Sequence, residues 1–537
     1  MKFLRLWMFA AILLLCGTNK VWTQSAINDI PAEVDAADAT ITKMGHATVT
    51  MKREIVTDPL TLKTDTLMRM VNVEWNTEKG TARWRMAQRR AATDVVGSDF
   101  KDKDSSWYLD MWWFNYNYPS INAEGEPVLL SANAAMPDED CSAVNNVIIG
   151  CHITITSNKE CPSHYSDEGS ILSDVNFLQN FASSGLGLDA SQDDMSCYNL
   201  VILPDYEGYG ITAGNAHPYL YQELTARQVV DAARYGIQLY KTSSQVDEIR
   251  HPFRNGWRTI TMGYSQGGSV ALATQRFIEQ NGLTDELQLA GSVCGDGPYD
   301  LMSTLLYYVD NDIQGKVMTM PVVLPLILKG MCDSNPYMKN HQVSDYLSEQ
   351  FLATGIIDWI TAKDKSTDDI TDAWKKLYKN GQFTDILTKD GTAKLSNILK
   401  PEGFNYFTQL YQDNKDTYTS AAGIPLPAHR GLMEDLHFAL ESNNMIMGWQ
   451  PQHAIFLYHS FEDTVVPEKN RERAANTMPD WVIRIKASGK DHVDEGNNFF
   501  FFQKAKVASC ISLLAAAPVH QTVGDVNTLR NSSSDKE

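Results

Sequence analysis

The chain has 537 residues with 46 basic and 66 acidic side chains, a formal charge of −20, and 43% of its residues are hydrophobic. That apolar share is enough for a large core and excludes a disordered or disulfide-stapled chain. The acidic balance excludes nucleic acid and an anionic membrane surface as principal partners, leaving an acidic enzyme or binding protein.

Lys2 and Arg5 precede an apolar run over residues 6–15 and a polar stretch over 17–20, the pattern of an export signal ending near residue 23. The run is too short to span a bilayer, so the mature chain is expected to be secreted or periplasmic, without an integral span. Cys16 offers lipoprotein anchoring as an alternative, but Leu15 stands where that signal needs a small residue. Of eight cysteines, Cys141, Cys151, Cys161 and Cys197 cluster in sequence, and export permits disulfides. One or two bridges are expected among these four, and at least one free thiol.

Residues 24–106 form an N-terminal segment with no functional signature. A hairpin is suggested there by Val71, Val73 and Trp75, then Thr77-Glu78-Lys79-Gly80, then Trp84 and Met86. From Trp112 the aromatics Trp112, Phe114, Tyr116 and Tyr118 alternate along one strand face. Turn residues 122–125 and a second strand over 127–135 complete an antiparallel opening pair. Beyond them, short aliphatic runs at 147–149, 200–203, 259–262, 287–294, 454–458 and 481–485 alternate with helix-period segments such as Ala226, Val230, Ala233 and Ile237. This is the signature of an α/β architecture, a mostly parallel sheet flanked by crossover helices.

Residues 301–447 interrupt the alternation and read as a helical cap. Within it Ile370, Ala373, Trp374, Leu377 and Tyr378 share a helical face, and Ser366 with Asp369 forms a capping box. The core is therefore split into 107–300 and 448–516, followed by a frayed tail over 517–537.

The chemistry concentrates at Gly263-Tyr264-Ser265-Gln266-Gly267-Gly268, directly after an apolar run and before a helical pattern. A serine nucleophile must stand clear of the backbone on a sharp turn, and its neighbours must be small enough for the following helix to pack. Serine also needs a base, and the base an orienting acid, in the chain order Ser, Asp or Glu, His. Asp463 lies in the loop after the run 454–458. His492 follows the run 481–485, about one helix and one strand further on. Ser265, Asp463 and His492 are thus the expected catalytic residues, all at one edge of the sheet. His459 is a weaker rival base, and Glu462 and Asp494 are rival acids. The developing oxyanion needs donors. One is expected from the backbone N–H of Gln266 and the other from the loop after residue 151, with Thr154 as its candidate. His152 either lines the site or is buried and hydrogen-bonded.

The elbow, together with Pro204-Asp205-Tyr206-Glu207-Gly208-Tyr209-Gly210, His217-Pro218-Tyr219 and Trp449-Gln450-Pro451, resembles the α/β-hydrolase superfamily and its secretory lipase and carboxylesterase branch. The resemblance spans residues 112–510. It implies an exported serine ester hydrolase with a lid, acting through an acyl-enzyme intermediate on a small-molecule or lipid ester, with no metal or organic cofactor. Two positions depart from that pattern: Ser460 stands where relatives have Gly, and the loop after Cys151-His152 lacks their His-Gly pair.

Within the cap, residues 317–331 are strongly apolar but broken by Pro321 and Pro325. They suit either a wall for an acyl chain or a helix buried against the core. Two other chemistries share the triad. A prolyl-oligopeptidase-like peptidase normally carries a propeller, for which the segment before Trp112 is too short. A polysaccharide side-chain esterase, removing acetyl or feruloyl groups, suits an exported acidic enzyme equally well.

Overall fold

The computed structural model describes residues 26–57, 64–76, 106–137, 143–167, 197–418, 423–478, 482–486, 489, 491–497 and 499. The stretch expected to be an export signal, Cys16 and the expected tail lie outside them. Ten strands form one sheet: β1 (Thr40–Thr57), β2 (Thr64–Asn76), β3 (Ser106–Ile121), β4 (Pro127–Pro137), β5 (Ala143–Cys151), β6 (Cys197–Pro204), β7 (Phe253–Tyr264), β8 (Leu289–Gly295), β9 (Ala454–His459) and β10 (Val482–Lys486). Their spatial order is β10-β9-β8-β7-β5-β6-β4-β3-β1-β2.

The six strands from β10 to β6 are mutually parallel, and the other four continue the sheet antiparallel. Each aliphatic run singled out in the sequence falls on one of the parallel strands, though that at 287–294 becomes strand only from Leu289, and the strand residues are buried on both faces wherever their side chains are described. Asn122 and Gly125 close the β3–β4 hairpin, with the Gly125 N–H donating to the Asn122 carbonyl and Gly125 at φ 79°. The N-terminal segment extends the sheet differently from the expected hairpin. Val71, Val73 and Trp75 lie on β2, which pairs back onto β1, and the proposed second arm at Trp84 and Met86 falls outside the described residues.

Among the described residues the α-helices longer than four residues are α1 (Gln222–Thr242), α2 (Gln266–Gln280), α3 (Leu301–Ile313), α4 (Val323–Ser334), α5 (Ile356–Ala362), α6 (Thr367–Lys379), α7 (Pro401–Asn414), α8 (Leu432–Ser442), α9 (Lys469–Thr477) and α10 (His492–Asn497). The aromatic stripe of β3 packs under α1. The Tyr116 hydroxyl donates to the Ala232 carbonyl at 2.7 Å, and a Cβ on Gly236 would lie 2.5 Å from that hydroxyl. One apolar core fills the space between sheet and helices, and a second lies within the inserted helices between β8 and β9.

The capping box of α6 forms as the sequence predicts. Ser366 accepts from the Asp369 N–H, the Asp369 carboxylate accepts from the Ser366 N–H, and Ile370 and Trp374 are buried. Helix α4 carries the apolar stretch, and Leu324, Leu326, Leu328 and Met331 are buried in the inserted helices' own core. Gly330 sits so close to Tyr219 that a Cβ there would meet its backbone nitrogen at 2.6 Å.

Lys363, just past α5, holds this layer to the core. It adopts the left-handed conformation at φ 52°, and its ammonium donates to the carbonyls of Gly208, Ala213 and Asn215 at 2.5, 3.0 and 2.6 Å. Among the described residues, no helix is long and apolar enough to cross a membrane.

Candidate active site

Strand β7 runs into α2 through a turn at Ser265, whose φ of 57° and ψ of −123° are unusual for a residue with a side chain. Strain of this kind persists only where the surroundings fix it. Here the Ser265 N–H donates to the Gly295 carbonyl, and the Ser265 carbonyl accepts from the N–H groups of Gly268 and Ser269. The flanking glycines are required by contact. A Cβ on Gly263 would lie 2.2 Å from the Gly267 carbonyl oxygen, and one on Gly267 would lie 1.9 Å from that of Cys151. The turn thus presents Ser265, half-buried, among buried neighbours.

The structure brings the three expected catalytic residues together. His492, the first residue of α10, has Nε2 2.8 Å from Ser265 Oγ and Nδ1 2.5 Å from Asp463 Oδ2. With Nδ1–H donating to the carboxylate, Nε2 is left to accept the serine proton. The other Asp463 oxygen accepts from the N–H groups of Val465 and Val466 at 2.7 and 2.8 Å. Burial raises this carboxyl's pKa, but His492 and these donors outweigh burial and hold it below its usual value. The inserted helices brace the acid loop from outside: the Tyr308 hydroxyl donates to the Val465 carbonyl, and Thr319 bonds Thr464 at 3.0 Å.

The rivals are placed elsewhere. His459 is fully buried, with Nε2 2.9 Å from the Val466 carbonyl, and burial lowers its pKa to about 4. Glu462 and Asp494 are exposed loop or helix-end carboxylates. His152 is buried between the carbonyls of Ile153 and Asp205, stacked on Tyr206 with ring centroids 3.9 Å apart, and its pKa is pushed down to about 4 by burial.

Gln266 starts α2 and is buried. Its carbonyl accepts from Ser269, and its side-chain amide lies 3.2 Å from His217 Nε2. His217 in turn has Nδ1 2.7 Å from the Glu207 carbonyl. With Nδ1–H donating there, Nε2 accepts from the Gln266 amide. His217 of the sequence motifs therefore contacts the elbow directly. Thr154 lies on the loop after β5 with its hydroxyl 2.7 Å from that of Tyr219.

Sequence reasoning missed Asp296, at the end of β8. It is buried, has φ 36°, and neighbours Asp463 and His459. Ligand atoms of these three residues lie within 4.8 Å of one another. An ion there would compete with His492 and two N–H groups for Asp463.

The expected free thiol is present, whereas the expected bridges through Cys151 and Cys161 are not. Cys151, Cys161, Cys294 and Cys332 are free and buried. Clustering in sequence did not bring the first two together: Cys151 ends β5 beneath the elbow, whereas Cys161 packs with Ile155 and Tyr209. Of the four clustered cysteines this leaves Cys141, which lies outside the described residues, and Cys197 at the start of β6.

The parallel sheet, the strained serine between β7 and α2, and the acid and histidine after β9 and β10 define the class: the chain has the α/β-hydrolase fold. Among solved structures, it is similar to the rice cell wall degrading esterase LipA from Xanthomonas oryzae, at 20% identity over 80% of this chain and 94% of that one, with a TM-score of 0.51. A Legionella pneumophila protein is 17% identical over 80% of this chain and 95% of its own, with a TM-score of 0.54. No protein-family model matches the chain, and no curated protein is similar to it in sequence.

Proposed function

We propose that the chain is an exported serine hydrolase of carboxylic esters. The observation that carries this reading is the unbroken chain of contacts from Ser265 Oγ through His492 to Asp463 on a strained turn. Ser265 attacks the ester carbonyl carbon as its proton passes to His492 Nε2, and Asp463 stabilises the imidazolium so formed. The oxyanion develops against the N-terminus of α2, where the Gln266 N–H and a second donor from the loop around Thr154 receive it. His492 returns the proton to the leaving alcohol, giving the acyl-enzyme, and then activates the water that hydrolyses it.

The LipA neighbour, an esterase by its own description, supports ester over amide chemistry. Helix α4 packs Gly330 against Tyr219, whose hydroxyl meets Thr154, so the cap reaches the loop expected to receive the oxyanion. Export rests on the basic and apolar pattern of residues 1–23.

Hydrolysis of nitrophenyl acetate, butyrate and palmitate by the mature chain, beside Ser265→Ala, tests this reading. Activity that rises with chain length and vanishes in the variant is expected. Cleavage of acetate alone removes the acyl wall and directs attention to sugar esters, and a preference for anilides makes the enzyme a peptidase. Equal activity in the variant refutes Ser265 as nucleophile.

A further inference from the structure

Asp296 sits where three separately placed parts of the site meet. Its backbone N–H donates to the Tyr458 carbonyl at 2.9 Å, and its Oδ1 accepts from the Ser460 N–H at 3.0 Å. Its Oδ2 lies 2.7 Å from the hydroxyl of Tyr264, the residue immediately before the nucleophile. That hydroxyl also lies 2.7 Å from the main-chain carbonyl of His492. Tyr264 is buried and has one hydroxyl proton for two oxygens. The His492 carbonyl can only accept, so if Tyr264 donates to it, Asp296 Oδ2 must carry its own proton and donate to the tyrosine oxygen.

The surroundings favour the same proton. Asp463, a second buried carboxylate, is within a few ångströms and already accepts from His492 and two N–H groups. Two buried carboxylates at this separation do not both ionise, and the one with the richer set of donors keeps the charge. The groups facing Asp296 are Tyr264 from β7 and His459 and Asp463 from β9 and its loop; Glu495 of α10 acts on Tyr264, and Arg471 of α9 and His492 of α10 act on His459. Burial, then Asp463, raises the Asp296 pKa well above the ordinary carboxylate range.

We infer that Asp296 is a proton-bearing positioning residue: its neutral carboxyl donates to Tyr264, Tyr264 donates to the His492 carbonyl, and the start of α10 is thereby fixed to the strand that carries Ser265. The inference rests on the ester-hydrolase reading for its purpose but not for its test. An ionised Asp296 would put a second negative charge beside the His492–Asp463 pair, and would also take the Tyr264 proton from the His492 carbonyl.

The test compares Asp296→Asn, Asp296→Ala and Tyr264→Phe with wild type in two readouts. The first is the NMR titration of the His492 imidazole, identified by its loss in His492→Gln, which needs no activity. The second is kcat and KM for nitrophenyl butyrate. Asparagine mimics a protonated aspartate, donating to Tyr264 and accepting from Ser460, so its His492 titration midpoint should match wild type and its kcat should fall less than about threefold. Alanine and Tyr264→Phe should lower kcat by about 10- to 100-fold at unchanged KM, since small displacements of a catalytic base are costly.

A midpoint that drops by one pH unit or more in Asp296→Asn would show that wild type carries a charge there and would overturn the inference. So would Tyr264→Phe at full kcat. If Asp296→Ala does not fold, the asparagine and phenylalanine variants decide. If wild type hydrolyses no ester, the functional reading fails, while the NMR titration still decides the protonation of Asp296.

Discussion

Substituting Gly267 by alanine tests whether the elbow is held as tightly as its geometry implies. The added Cβ would lie 1.9 Å from the Cys151 carbonyl oxygen and 2.7 Å from both the Cys151 carbonyl carbon and the His152 carbonyl oxygen. Ordinary contact begins near 3.4 Å, so α2 and the end of β5 must separate by about 1.5 Å. The obstacles are backbone atoms of Cys151 and His152, with no flexible side chain to yield. Overpacking of this kind costs about 1–3 kcal/mol, and the rigid obstacle places Gly267→Ala near 3 kcal/mol. The same displacement moves the expected oxyanion donors relative to each other, and a shift of about 1 Å lowers kcat roughly 100-fold. Gly214 is exposed with nothing within 4 Å of its would-be Cβ, so Gly214→Ala serves as control and should stay within about 0.5 kcal/mol of wild type. Urea unfolding followed by tryptophan fluorescence, with ester turnover on the same samples, reads both effects. Equal stability and equal kcat in the two variants would refute the argument.

Asp463→Asn should lower kcat about 10⁴-fold with little change in KM, because an amide N–H facing Nδ1 turns His492 to the wrong tautomer; stopped-assay kinetics on nitrophenyl butyrate reads it. Glu160→Gln should flatten the pH dependence of stability. Burial raises the Glu160 pKa from 4.5 to about 7, so the native state binds more protons than the unfolded chain in that window and stability declines as pH rises through it. The glutamine variant should gain on wild type over this range, reaching about 3 kcal/mol above pH 7 in urea titrations, since one oxygen takes both N–H bonds from Thr156 and Ser157 and an amide oxygen can replace it. Lys363→Met leaves three carbonyls without their donor and should cost about 3 kcal/mol, with limited proteolysis now cutting first in the inserted helices.

Features specified by neighbours in the chain were legible in the sequence. The elbow follows from a run of aliphatics, two glycines and a helical pattern in twenty residues, and the α6 capping box from Ser366 and Asp369 alone. Asp463 and His492 were legible because each follows its own aliphatic strand. What the sequence hid depends on contacts between distant segments. Asp296 reads as one of many acids until Tyr264, Ser460 and His492 converge on it. The clamp of His217 on Gln266 joins residues 49 apart, and no local pattern marks it. The cysteine cluster misled for the converse reason, since nearness in sequence placed Cys151 and Cys161 in separate environments. Strand β1 was missed because it is polar, so pairing to β3 rather than hydropathy specifies it, and of β2 only the alternating Val71, Val73 and Trp75 read as strand.

The central claim is that Ser265 is a nucleophile made reactive by His492. Intact-mass and peptide-mapping spectrometry after exposure to an alkyl phosphonofluoridate tests it most directly. Wild type is expected to gain one phosphonyl group, located on Ser265, with His492→Ala labelled at least 100-fold more slowly and Ser265→Ala unlabelled. Modification of another residue, or equal labelling rates with and without His492, would contradict the account.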